Sequence, residues 1–141
     1  MNEPFCFLDT NIFIRHLTND IESQSRVAQR LFEAIEQEDI SAETSVTVIF
    51  ETIYVMSGQY KADRETLAGA LISLLKPDGI IVPSKHQVIK ALELWSRTQR
   101  LSFADAYHLV LTSTLPHQTI ASFDKGMDNC LPGVVRIEQF P

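Results

Sequence analysis

The 141-residue chain is about one domain's worth of polypeptide. With 45% hydrophobic and 21% charged residues, it can bury a core and is neither disordered nor fibrous. The longest apolar-rich stretch, Val46–Met56, contains Thr47, Glu51 and Thr52 and is too short to cross a bilayer. The opening MNEPFCFLD lacks a basic n-region and a long apolar core, so no secretion signal is expected and a soluble, cytoplasmic protein is. The formal net charge of -6 is not the footprint of a general nucleic-acid binder. The acid is uneven, however: residues 1–58 carry three Arg against ten Asp or Glu, and residues 59–141 nine basic against eight acidic residues. Cys6 and Cys130 make neither a zinc cluster nor a disulfide framework, and Cys6 reads as a small core residue.

No repeat or linker interrupts the chain, so a single domain over residues 1–141 is expected. Phe5–Leu8 reads as a buried strand ending in Asp9. Thr10 or Asn11 can cap a short helix through Leu17. Ile21–Gln37 places Ile21, Val27, Ala28, Leu31, Phe32 and Ile35 at helical spacing. Ile40–Ala42 is a minimal strand. Val46–Met56 is β-branched, which favours a strand, but its length and the Ser57-Gly58 stop favour a helix. A helix follows over Thr66–Leu75, ended by Pro77 and Gly79, then a strand over Ile80–Val82. Lys85–Arg100 sets Val88, Ile89, Leu92 and Trp95 on one helical face, and Ser102–Thr114 does the same with Phe103, Ala106, Leu109 and Val110. Thr119–Phe123 and Val134–Ile137 are the last strands. This alternation implies an α/β fold with a parallel sheet covered on both faces.

In such sheets ligands gather at the carboxyl ends of strands. Two strands here end in acids, Asp9 and Asp124, and Glu51 and Asp105 occur among apolar residues. If the loops bring the four together, the repulsion calls for a cation or for some protons to stay on, and oxygen ligands without Cys or obligate His suit Mg2+ or Mn2+. Each residue also has a plainer role. Asp9 can cap the following helix. Asp105 completes a capping-box pattern with Ser102. Asp124 can form a turn, and Glu51 can pair with an Arg or Lys. Asn11 and Ser122, each two residues from a key Asp, can orient a carboxylate or a water. Asp128 can join the site or be solvated. His108, one turn after Asp105, reads as packed or supporting rather than as a ligand.

FLDTNIFIRHL, SVTVIFETIYV, LSFADAYHLV and IASFDKGMDN, in this order, make the chain resemble the PIN-domain family, and within it the VapC-type toxins of toxin–antitoxin pairs. The resemblance covers nearly the whole chain. It implies a three-layer α/β/α sandwich around a small central parallel sheet. It also implies an acidic quartet at Asp9, Glu51, Asp105 and Asp124, with Asn11 and Ser122 supporting it. The activity implied is that of a metal-dependent endoribonuclease leaving 5′-phosphate and 3′-hydroxyl ends and held inactive by an antitoxin protein.

RNA would be cut by in-line displacement, the metal activating water and offsetting phosphate charge. Arg15, Lys61, Arg64, Arg97, Arg100 and Lys125 are candidates for RNA backbone contacts. So few basic groups imply recognition of RNA shape or an exposed loop rather than tight general binding. An acidic pocket also suits an arginine from an antitoxin. The helices Ile21–Ile35 and Val46–Met56 offer a face for such a segment or for a homodimer, or are ordinary core. The rival readings are a Mg2+-dependent phosphatase or phosphotransferase and a non-catalytic interaction domain. Asp9-Thr10-Asn11 lacks the second Asp or Lys that the phosphatase would want.

Overall fold

Exposed N–H groups at a helix start need an acceptor, and short polar side chains supply it. In the computed structural model of the chain, Ser45 accepts from the Val48 N–H, Asp63 from that of Thr66, and Ser102 from that of Asp105. The structure describes residues 3–139 and 141; Met1 and Asn2 of the opening segment, and Phe140, lie outside it. The elements run β1 (Cys6–Phe7), α1 (Thr10–Leu17), α2 (Glu22–Glu36), β2 (Ala42–Glu43), α3 (Val46–Gly58), α4 (Arg64–Leu75), β3 (Ile80–Ile81), α5 (Lys85–Arg97), α6 (Phe103–Ser113), β4 (Thr119–Ala121), a 3-10 turn (Lys125–Met127) and β5 (Val135–Ile137). The fold is α/β, and each strand and helix expected from the sequence is present, the strands shorter than expected. Among the described residues no helix is long and apolar enough to cross a membrane.

The chain forms two compact units, Met1–Lys85 and His86–Pro141. In the first, β1, β2 and β3 form a parallel sheet in that order, with Cys6 opposite Ala42 and Ala42 opposite Ile80. Its core holds Leu8, Phe13, Ala28, Ile35, Ile49, Leu71, Leu75 and Ile80, and the Phe13 and Phe32 rings meet edge to face. In the second, β4 and β5 pair in parallel, and Val88, Leu92, Leu94, Leu101, Ala106 and Leu109 are buried.

Several local expectations are corrected. β1 is not buried on both faces: Phe5 is 71% and Phe7 55% exposed, while Leu8 is fully buried. With two residues and only β2 beside it, β1 leaves one edge uncovered by its own sheet. The buried stripe of α2 is Ser25, Ala28, Phe32 and Ile35, leaving Ile21 and Val27 outside. The strand-prone Val46–Met56 is helical because Ser45 caps it and Val48, Ile49, Thr52, Ile53 and Met56 all find a core. α4 begins two residues early, at the Asp63 cap. Asp9, not Thr10 or Asn11, holds the N-cap position of α1.

Gly79 fits where any side chain would collide. A Cβ there would stand 3.0 Å from Ile35 Cγ2 and 3.2 Å from the Ile40 carbonyl oxygen, and the Gly79 carbonyl itself accepts from the Ala42 N–H at 2.7 Å. Gly79→Ala is therefore expected to destabilise the fold by about 1–3 kcal/mol, the usual cost of overpacking. Urea unfolding followed by far-UV circular dichroism will show this as a lowered midpoint at unchanged slope.

Candidate functional site

In the first unit, Leu8 fixes where Asp9 begins. Its N–H donates to the Glu43 carbonyl at 2.7 Å, and the buried Thr44 hydroxyl donates to its carbonyl at 3.0 Å. Asp9 then leaves the strand in an extended conformation and stands at the head of α1, exposed to solvent. The Ile12 N–H bonds the Asp9 backbone carbonyl, but the carboxylate makes no capping hydrogen bond. The plainer role assigned to Asp9 is thus filled by its backbone alone, and the side chain stays available. The macrodipole of α1 favours negative charge at this end. Asn11 is exposed one turn-position further on.

Glu51, also in the first unit, is exposed on α3. Its apolar neighbours in sequence lie on the opposite side of the helix: Val48, Ile49, Thr52 and Ile53 are buried, whereas Glu51 and Tyr54 point outward. No ion pair reaches Glu51 among the described residues, so the pairing considered from sequence is absent there.

The second unit supplies Asp105 and Asp124. Asp105 is half-buried in the first turn of α6. Its N–H donates to Ser102 Oγ at 3.1 Å, which is one half of a capping box. The return bond from the carboxylate is missing among the described residues, so this acid too is left uncommitted. His108 is exposed on the same helix rather than packed.

Asp124 does act as a turn residue. Its Oδ1 accepts from the Gly126 N–H at 2.8 Å, and its own N–H donates to Ser122 Oγ at 3.0 Å. Ser122 therefore orients Asp124 through the backbone. A Cβ at Gly126 would come within 2.9 Å of Asp124 Oδ1, so a side chain there would displace that carboxylate.

Asp128, its side chain still 44% exposed, is committed to an ion pair. Arg136 of β5 grips both its oxygens, at 2.6 and 3.2 Å. The same guanidinium donates to the Ser122 carbonyl at 2.7 Å and to Glu138 at 2.7 Å. These contacts hold the Asp128 carboxyl below the ordinary carboxylate range, the Arg136 hydrogen bond contributing most. Arg100 adds a second clamp, donating to the carbonyls of Gly126 and Asp128 and to Cys130 Sγ. Sequence reasoning missed Arg136; the available signal was an arginine inside the otherwise apolar Val134–Ile137. It also read Arg100 and Arg15 as RNA contacts. Arg100 staples the turn, and Arg15 donates to Gln24, Asp20 and the Tyr60 hydroxyl.

Asp9 and Glu51 thus lie in one unit and Asp105 and Asp124 in the other. Among the described residues no group of three or more His, Cys, Asp or Glu side chains is placed to hold a metal ion. What each unit does show is hard oxygen donors left without a protein partner, at Asp9, Glu51 and Asp105, which is the donor chemistry Mg2+ and Mn2+ take.

The lowered Asp128 pKa carries a stability consequence with a definite sign. A carboxyl ionised more readily in the folded than in the unfolded state stabilises the fold fully above the unfolded pKa, and the contribution is lost as pH falls through the folded value. Asp128→Asn is expected to lower the melting temperature at pH 7. The gap to the unaltered protein should close as the pH drops below the carboxylate range, which a pH series of thermal melts will read.

Residues 6–130 match the PIN domain. No curated protein and no solved structure matches the chain. With the family's pattern running from β1 to the far side of the acidic turn, the chain belongs to the PIN domain family.

Proposed function

We propose that the chain is a Mg2+- or Mn2+-dependent endoribonuclease, built as one domain over residues 1–141 and acting as the cytoplasmic toxin of a toxin–antitoxin pair. PIN domains are commonly nucleases and usually use divalent metals, which supports the coarse part of this reading. The observation that carries the finer part is Asp9. It occupies a helix N-cap position, yet its carboxylate does not cap, whereas Ser45, Asp63 and Ser102 at other helix starts all do.

In this reading Asp9 and Asp105 are the principal metal-holding residues, and Glu51 and Asp124 complete the set directly or through water. When bound, the metal lowers the pKa of a water and neutralises charge developing on the phosphate. Glu51 or Asp124 takes the proton from the attacking water, for which a carboxylate without a competing cation is suited. Asp124 is held in orientation by Ser122 and Gly126, so its free oxygen is presented in a fixed direction. Asn11 supports Asp9 by orienting a water. Asp128 serves this site only through the turn that it and Arg136 hold together.

An antitoxin inhibits in this scheme by placing an arginine between carboxylates that would otherwise hold metal. A homodimer of the chain is part of the same proposal. Asp9→Asn, Asp105→Asn and Glu51→Gln are each expected to lower the cleavage rate at least about 100-fold, on the scale seen when a positioned catalytic group is removed, with melting temperatures near that of the unaltered protein. EDTA abolishes the activity and Mg2+ or Mn2+ restores it. Cutting of RNA that persists equally in Asp9→Asn overturns the proposal. Failure to bind Mg2+ or Mn2+ in calorimetry supports the interaction-domain reading instead. Hydrolysis of a small phosphate ester that ignores Asp105→Asn supports the phosphatase.

A further inference from the structure

A buried polar atom without a partner costs stability, so each one in a fold calls for a reason. Among the described residues one side-chain atom is in that state, Nδ1 of His16. His16 lies in the last turn of α1. Its ring sits tilted on the buried Phe32 ring of α2, with the centroids 4.7 Å apart. The imidazole as a whole is half-buried, but Nδ1 is closed off from solvent with nothing to bond.

A cavity of about 250 Å3 adjoins this ring within the first unit. Its charged lining is Glu33 and Glu36 of α2, while α4 and the residues after it contribute only Ser73, Leu74 and Pro77. No cation lines it among the described residues. Glu33 accepts from Gln29 through one oxygen, Oε1. The other basic residue in the last turn of α1, Arg15, is committed to Gln24, Asp20 and the Tyr60 hydroxyl.

Opposing forces meet at this imidazole. Burial disfavours its charged form, whereas the helix C-terminus and a nearby carboxylate favour it. Burial prevails and holds the His16 pKa below the ordinary imidazole value, with Glu33 pulling the other way. A neutral ring protonated on Nε2 leaves only a lone pair at Nδ1. A second proton puts an N–H there with no acceptor, on a ring that now carries charge. The charged ring therefore cannot keep this seat.

We propose that His16 is a proton-operated latch between α1 and α2. Neutral, the ring packs on Phe32. Protonated, it turns into the adjoining cavity and pairs with Glu33, and the contact with Phe32 opens. α1 is the eight-residue helix that Asp9 heads, so a proton taken up at one end acts on the element that presents that carboxylate at the other. The latch does not depend on the chain cutting RNA.

The test is a pH titration of the full chain by NMR, with the His16 ring signals identified by their loss in His16→Gln. Their midpoint should lie below those of the exposed His86 and His108. Cross-relaxation between the His16 and Phe32 rings should be present at neutral pH and vanish through that midpoint. Amide signals from Phe13 to Leu17 should move with it, and should stay still in His16→Gln and His16→Phe. Glu33→Gln, an exposed change, should lower the midpoint further by removing the carboxylate partner. A histidine with a depressed folded pKa contributes stability above its unfolded pKa and loses it as pH falls toward the folded one. The melting temperature of the unaltered protein should thus fall more steeply than that of His16→Phe from about pH 8 to 5. Ring contacts that persist through the titration, a midpoint indifferent to Glu33→Gln, or α1 signals that titrate unchanged in His16→Gln overturn the latch.

Discussion

The Arg136 guanidinium is the interaction on which the second unit's acidic turn depends. It joins β5 to the end of β4 through the Ser122 carbonyl and to the residue after the 3-10 turn through Asp128. The two aspartates of this segment, four apart in sequence, are thereby given opposite states. Asp128 is bound on both oxygens by a cation and is neutralised in place. Asp124 has one oxygen bonded by a backbone N–H, which orients it without cancelling its charge. A bidentate guanidinium–carboxylate pair fixes geometry as well as charge. The turn that presents Asp124 and Phe123 is thus set by a strand residue more than ten positions away in sequence.

The first unit reaches the same condition by backbone bonds instead. Leu8 is held at both its N–H and its carbonyl, by Glu43 and Thr44, so the chain enters α1 from a fixed point. α1 begins with a bond to the Asp9 carbonyl, and the carboxylate is left with only the helix dipole as a favourable partner. Folding therefore spends neither the Asp9 nor the Asp105 side chain on its own local structure. Each is left as an oxygen donor for the role proposed above.

The order and type of elements were legible in the sequence because apolar periodicity and helix-stop residues report directly on burial and backbone freedom. The positions of the acids at strand ends and in the first turn of α6 were legible for the same reason. Three things were not. The two- and three-residue strands carry too little pattern to fix their ends. The state of each carboxylate depends on partners far along the chain: Arg136 for Asp128 and the empty return bond of the Ser102–Asp105 box could not be read from spacing. The exposure of Phe5, Phe7 and Val27 was misjudged because an apolar residue in a helical or strand register is presumed to face inward, and in β1 and α2 the register offers more apolar positions than the core has room for.

These partners also bear on how an acidic protein could handle RNA. Arg15 and Arg100, two of the six basic residues first read as backbone contacts, are committed inside their own units. Lys61, Arg97 and Lys125 remain exposed. A small set of cations on a chain of net charge -6 cannot supply the phosphate-driven affinity of a basic nucleic-acid binder, whose strength scales with the number of phosphates neutralised. Affinity must then come from contacts that do not count charge. In the reading proposed above, coordination of a single phosphate through a metal is one such contact. An acidic surface becomes an asset under that scheme. It would repel the phosphate backbone wherever the proposed metal contact is not engaged, and so confine binding to that contact.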